Sequence, residues 1–151
     1  PQDAELFNGT VAENICRFTN TSQAFDSQAI VEAAQRADIH HMILRLPQGY
    51  DTSIGVAGQL LSAGQRQRLA LARALYRAPD LIMLDETNGN LYDAGEAALA
   101  KSLCDLKAMG KTVFMVLHQR SLLQLADRVL VLEEGRVKAF GKFQITSTTA
   151  S

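Results

Sequence analysis

Leu61-Ser62-Ala63-Gly64-Gln65-Arg66-Gln67-Arg68 runs unbroken into Leu69-Ala70-Leu71-Ala72-Arg73-Ala74-Leu75, and soon afterwards Leu81-Ile82-Met83-Leu84 ends on Asp85-Glu86. Ser62 and Gln65 have capping-box spacing, in which each side chain bonds the other's backbone N–H at a helix start. Strong helix formers over Gln65–Tyr76 predict a helix that stops at Ala78-Pro79. Its start offers backbone N–H groups without intrahelical acceptors, a hydroxyl and the positive end of the helix dipole, a combination suited to a phosphate. Gly64 lets backbone approach closely there. The same spacing also describes an ordinary capped surface helix. Leu81–Leu84 reads as a short, buried, parallel strand. Its two terminal carboxylates then fall at the carboxyl edge of a sheet, where α/β proteins bind ligands. In that place Asp85 suits Mg²⁺, directly or through water, and Glu86 suits a general base that polarises a water. An acidic, solvated strand end is the plain alternative.

Working outward, the residues before this stretch read helical. Thr10 and Glu13 repeat the capping-box spacing ahead of a helix over Val11–Arg17. Asn20–Ser22 is a polar loop. Ser27–Ala37 puts Ile30, Val31 and Ala34 on one helical face. Ile39–Leu46 is a second short helix, stopped by Pro47 and Gly49. Asp51–Leu60, with Gly55 and Gly58, is a loop. After Glu86 the pattern alternates. Glu96–Lys107 places Leu99, Leu103 and Leu106 at helical spacing before the stop at Gly110. Thr112–Leu117 is a second buried strand and Ser121–Ala126 a short helix. Val129–Leu132 and Arg136–Phe140 flank Glu133-Glu134-Gly135 as a hairpin. Helices first, then strand–helix–strand–helix–hairpin, suit half of a wound α/β sheet with a helical insertion before it. His118, directly after the second strand, faces the same ligand edge and can hydrogen-bond a phosphate or the water, although an isolated histidine there also reads as a plain loop residue. His40 and His41 have no metal-ligand spacing and are assigned no site.

Composition sets outer limits. The 151 residues are 47% hydrophobic and 21% charged, as in a folded globular chain. The net charge of −1 gives no sign of a nucleic-acid-binding surface. Cys16 and Cys104 form no CxxC and read as reduced thiols of a cytosolic protein. The apolar runs are strand-sized, whereas a membrane span needs about 20 apolar residues. There is no secretory signal, the start at Pro1 reads as that of a fragment, and the small polar run Thr146–Ser151 is expected to be a disordered tail.

The order of these signals resembles the ATP-binding cassette (ABC) ATPases. Their L-S-G-G-Q signature is similar to Leu61-Ser62-Ala63-Gly64-Gln65, their Walker B glutamate matches Glu86, and their switch histidine matches His118. Pro1-Gln2-Asp3 looks like the end of the Q-loop, which puts the family glutamine at Gln2. The resemblance runs from Pro1 to about Lys142. It implies an α/β fold, a P-loop NTPase-like ABC ATPase fragment spanning 1–145. Within it a helical subdomain at about 10–75 is followed by the second half of a RecA-like parallel-sheet core at about 76–142, with 146–151 as the tail. It also implies ATP and Mg²⁺ as cofactors. Glu86, His118 and Gln2 become the catalytic set, and Asp85 and Gln2 the Mg²⁺ ligands. Ser62, Ala63, Gly64 and Gln65 become the signature that meets ATP of a second copy, in trans, in a head-to-tail dimer.

A finer resemblance lies in Glu5-Leu6-Phe7-Asn8-Gly9-Thr10-Val11-Ala12-Glu13-Asn14-Ile15, similar to the exporter branch. His41-Met42-Ile43-Leu44-Arg45-Leu46-Pro47-Gln48-Gly49-Tyr50-Asp51-Thr52, Asn88-Gly89-Asn90-Leu91 and Gly95-Glu96-Ala97-Ala98-Leu99 look like type I secretion permease/ATPases. This resemblance implies protein export driven from the cytoplasmic face of a bacterial inner membrane. The implied partners are a transmembrane permease domain fused upstream, a periplasmic adaptor and an outer-membrane channel.

Four positions depart from the family pattern. Ala63 replaces the first signature glycine, and Thr87 stands where proline is usual. Tyr92 takes the D-loop aspartate position, with Asp93 one residue later. Val56 stands where exporters carry a glutamate associated with coupling to the membrane domain. No G-x-x-x-x-G-K-[ST] occurs in the 151 residues, so the loop that wraps the phosphates is not among them. These residues alone are therefore expected to be inactive. Exporters of lipids, peptides or drugs, non-transport ABC ATPases of DNA repair or translation, and a non-catalytic regulatory domain remain alternatives at this point.

Overall fold

The structure, a computed structural model, describes residues 6–18, 26–85, 93–116 and 122–142, with backbone alone for 93–96. Gln2, Glu86, Tyr92, His118, the Asn20–Ser22 loop and the Thr146–Ser151 tail lie outside the described residues.

Among the described residues, five α-helices and four strands follow one another: α1 (Val11–Ile15), α2 (Ser27–Arg36), α3 (His40–Ile43), α4 (Ala63–Leu75), β1 (Leu81–Leu84), α5 (Asp93–Ala108), β2 (Thr112–Met115), β3 (Val129–Glu133) and β4 (Arg136–Gly141). Thr10 caps α1 with a complete capping box: Glu13 N–H donates to Thr10 Oγ1 and Thr10 N–H donates to Glu13 Oε2. The helix ends at Ile15, short of the expected Arg17, because Arg17 and Phe18 both adopt left-handed backbone. Asp26 caps α2, which buries Ile30, Ala33 and Ala34, while Val31 is only half-buried. The predicted helix Ile39–Leu46 is confined to His40–Ile43. Within the expected loop lies a 3-10 turn at Val56–Gly58, and another at Gly49–Asp51 overlaps its start.

Two hydrophobic clusters organise the described residues. Val11, Ile15, Ile30, Ile43, Ile54 and Leu69 belong to the first, built on α1, α2, α3 and α4. Leu75, Ile82, Leu84, Leu99, Leu106 and Leu122 form the second, between the β1–β2 sheet and α5. The clusters are joined by α4, which contributes Leu69 and Ala72 to one and Leu75 to the other. The buried Ser102 of α5 adds a polar tie, its hydroxyl donating to the Arg36 carbonyl at the end of α2.

β1 and β2 pair in parallel, with Leu81 opposite Thr112 and Leu84 opposite Met115. Both strands were expected to be buried. Instead, Ile82 and Leu84 face the second cluster while Leu81, Met83, Phe114 and Val116 are exposed on the other side. A parallel sheet with both faces covered needs a layer on each, and the described residues supply one. β3 and β4 form the expected hairpin, antiparallel, with a register irregularity at Val131/Leu132. Its tight turn has positive φ at both Glu134 and Gly135, as the twist of a two-residue hairpin favours.

The two cysteines are not joined. Cys16 is sealed in the first cluster, and Cys104 is exposed on α5. No helix among the described residues is long and apolar enough to cross a membrane.

Candidate functional site: the start of α4 and the end of β1

The capping box at α4 forms in full. Gln65 N–H donates to Ser62 Oγ at 3.3 Å, and Ser62 N–H donates to Gln65 Oε1 at 2.8 Å. The Ala63 and Gly64 N–H groups at the helix start have no intrahelical acceptor. Ser62 and Ala63 are exposed, and a Cβ built on Gly64 would meet nothing within 4 Å. The helix start is thus open to a ligand. Ser62 uses its oxygen as acceptor in the cap, so its hydroxyl proton is still available. The Nε2 of Gln65 is a second donor, because its Oε1 serves the box.

The rest of α4 is held firmly. Leu69, Ala72 and Leu75 are buried, and Arg66 Nη1 donates to the Leu61 carbonyl at 2.7 Å. Arg68 donates to the Asp38 carbonyl at 3.3 Å and lies 3.6 Å from its carboxylate. At the other end, Arg17 Nε donates to the Arg73 carbonyl at 3.0 Å and Nη2 to the Ala74 carbonyl at 3.2 Å. A cationic side chain there satisfies the helix's last carbonyls and its negative dipole end.

Asp85 follows β1 at the carboxyl edge of the parallel pair, just after Val116 N–H donates to the Leu84 carbonyl at 3.0 Å. It is exposed, and no described cation pairs with it. No group of three or more His, Cys, Asp or Glu side chains gathers among the described residues. Asp80, at the opposite end of β1, is bonded by Lys111 Nζ at 2.8 Å, and that hydrogen bond holds its carboxyl below the usual range.

Of the residues singled out from sequence, Ser62, Ala63, Gly64 and Gln65 share one helix start, and Asp85 lies at the strand edge. Gln2, Glu86 and His118 are outside the described residues. Sequence reasoning overlooked Arg17 and Asn14. Asn14 is fully buried although polar, and a polar residue at an inward helical position of α1 was the available sign.

Residues 1–89 match the ABC transporter family. The chain belongs to this family. It is 53% identical over 141 residues to the type I secretion system ATP-binding protein PrsD of Rhizobium meliloti (strain 1021), covering 93% of this chain and 24% of PrsD. It is 39% identical over 143 residues to the ATP-dependent lipid A-core flippase of Saccharophagus degradans, covering 95% of this chain and 24% of the flippase. Among solved structures, a bacterial Atm1-family ABC exporter with ATP bound superposes with a TM-score of 0.80 at 34% identity, over 94% of this chain and 24% of that one. The chain thus spans about a quarter of the length of these relatives.

Proposed function

We propose that this chain is the signature and Walker B part of an ATP-hydrolysing motor that drives an exporter. The observation that carries the reading is the open start of α4, where Ser62 and Gln65 cap the helix yet keep donors available for a phosphate. In this reading Ser62, Ala63, Gly64 and Gln65 meet the ATP held by a second copy arranged head to tail. Asp85 and Gln2 hold Mg²⁺, which neutralises phosphate charge when bound. Glu86 accepts a proton from the attacking water, and His118 hydrogen-bonds the phosphate or that water. ATP binding closes the dimer, hydrolysis reopens it, and the segment after Gln2 passes the change to a membrane domain.

The 53% identity to PrsD supports type I protein secretion as the transport process. A periplasmic adaptor and an outer-membrane channel would then complete the path from the cytoplasmic face of a bacterial inner membrane. The relation to a lipid A-core flippase supports lipid export as the second reading. The deciding experiment replaces Glu86 by Gln in the full-length protein. Loss of a general base lowers turnover by about 10²–10⁴, while ATP binding persists and closed dimers accumulate. Near-normal turnover in Glu86→Gln removes Glu86 from the role.

A further inference from the structure

The peptide unit that leads into the cap of α4, between Leu61 and Ser62, has both of its polar groups taken by side chains of that helix. Its N–H donates to Gln65 Oε1 at 2.8 Å, and its carbonyl accepts Arg66 Nη1 at 2.7 Å. The next carbonyl, that of Ser62, accepts the Arg66 backbone N–H at 2.9 Å. Arg66 thus holds Ser62 from both sides, by its side chain before the residue and by its backbone after it. The stem of Arg66 lies over Gly58, where an added Cβ would stand 3.4 Å from both its Cγ and its Cδ. Gly58 is buried, and its carbonyl accepts the Leu61 N–H at 2.9 Å. Leu61 itself is sealed in the first cluster. A cation near the start of a helix opposes the helix dipole. The first turn of α4 nonetheless has no acid and leads straight to Arg66, whereas the first turn of α1 carries Glu13. The charge is therefore placed against local helix stability, at the end where a bound anion offsets it.

We propose that Arg66 is a positioning residue: it locks the peptide between Leu61 and Ser62, so that the Ser62 hydroxyl and the Ala63 and Gly64 N–H groups are preset for a nucleotide phosphate. The inference rests on the phosphate reading of the α4 start. Ser62 is exposed, and the capping box fixes only the N–H side of that peptide. Arg66 fixes the carbonyl side. With that bond removed, the donors would have to be ordered when ATP arrives, a cost that preorganised donors avoid. A guanidinium suits the task because its donors are held in a rigid plane and its charge does not titrate. Arg66 acts through Ser62.

The test compares full-length Arg66→Met with the native protein, reading ATP turnover and ATP bound per chain. Met keeps the stem over Gly58 and is about as good a helix former as Arg, but it has no donor. In the proposed function the ATP that meets Ser62 is held by a second copy. Arg66→Met should therefore lower kcat by about tenfold, the scale of one lost charge-assisted hydrogen bond, and leave ATP bound per chain unchanged. Arg66→Lys keeps the charge and one flexible donor, and its kcat should lie between the two. Melting temperature, bound ATP and kcat falling in step in Arg66→Met would mark a purely structural role and overturn the proposal. Native kcat in Arg66→Met, with turnover lost in Ser62→Ala, overturns the role of Arg66 alone. Native kcat in Ser62→Ala removes the phosphate from the α4 start and this inference with it. Should Arg66→Met fail to fold, Arg66→Gln takes its place, polar but too short to reach the Leu61 carbonyl, and native kcat there overturns the proposal.

Discussion

Ser62 and Gln65 cap each other through reciprocal hydrogen bonds of 3.3 and 2.8 Å, each side chain taking the other's backbone N–H. Both side chains act as acceptors in the box, so both retain a donor for an anion. Ser62→Ala should cost about 1 kcal/mol of stability as a lost N-cap, and should abolish ATP-driven dimerisation in the full-length protein. Ser62→Asp separates the two roles, because a carboxylate caps well but repels phosphate. Thermal melts of Ser62→Asp should match the native protein while dimerisation fails. Normal dimerisation in both variants would remove the phosphate from this helix start.

Ala63 places an exposed methyl at the first position of α4. Ala63→Gly should raise ATP-driven dimerisation and turnover, as backbone approaches the phosphate more closely. The gain is limited, since a charge-assisted hydrogen bond is worth about 1.5–3 kcal/mol. Tyr92→Asp is expected to act in the same direction unless Asp93 already serves the partner. ATPase rate against protein concentration checks both.

Asp85 stands exposed at the carboxyl edge of β1 with no described cation beside it. Asp85→Asn removes the charge and keeps the shape. It should weaken ATP affinity in the presence of Mg²⁺ and leave metal-free ATP binding much less affected. Calorimetry with and without Mg²⁺ reads the difference, and equal losses in both would point away from a metal ligand.

Tyr50 donates to or accepts from His40 Nδ1 at 2.8 Å, and burial pushes its hydroxyl up from 10.0 to about 12. The folded state therefore holds the phenolic proton more tightly than the unfolded chain does. That contribution is complete below pH 10 and is lost as pH rises through about 12. Tyr50→Phe should flatten the alkaline limb of stability between those limits. Melting temperatures measured from pH 9 upward give the comparison.

Leu81, Met83, Phe114 and Val116 line the uncovered face of the β1–β2 sheet. Exposed apolar faces and open strand edges promote association. The 151-residue chain on its own should bind a hydrophobic dye, self-associate, and show no saturable micromolar ATP binding. Met83→Lys with Phe114→Glu should lessen self-association, since both side chains point away from Ile82 and Leu84. A monomeric, dye-free native chain would contradict this.

Local signals were the legible ones. The boxes at Thr10–Glu13 and Ser62–Gln65 depend on residues three apart, and both could be read before any folding was known. β1 has the expected bounds because four apolar residues sit between a proline turn and two acids. What escaped depends on distant partners. Arg17 bonds carbonyls 56 and 57 residues away, so nothing near it announces the role. The left-handed turn at Arg17 and Phe18 shortened α1 against its propensity. The exposure of β2 was unreadable for a related reason: an apolar run specifies a buried strand only where something covers both faces. At the site, the α4 start was legible as chemistry, whereas the Asn14 bonds to both backbone groups of Phe7 required the fold.

The unequal depth of the two thiols has a practical use. Cys16 is enclosed among aliphatic side chains, whereas Cys104 projects from α5. Maleimide reagents should modify the native chain once, at Cys104, and reach Cys16 only after the first cluster opens. One side chain is thus a ready attachment point for a fluorophore and the other an internal gauge of unfolding, so labelling stoichiometry followed by mass spectrometry reports opening of the first cluster without any engineered residue.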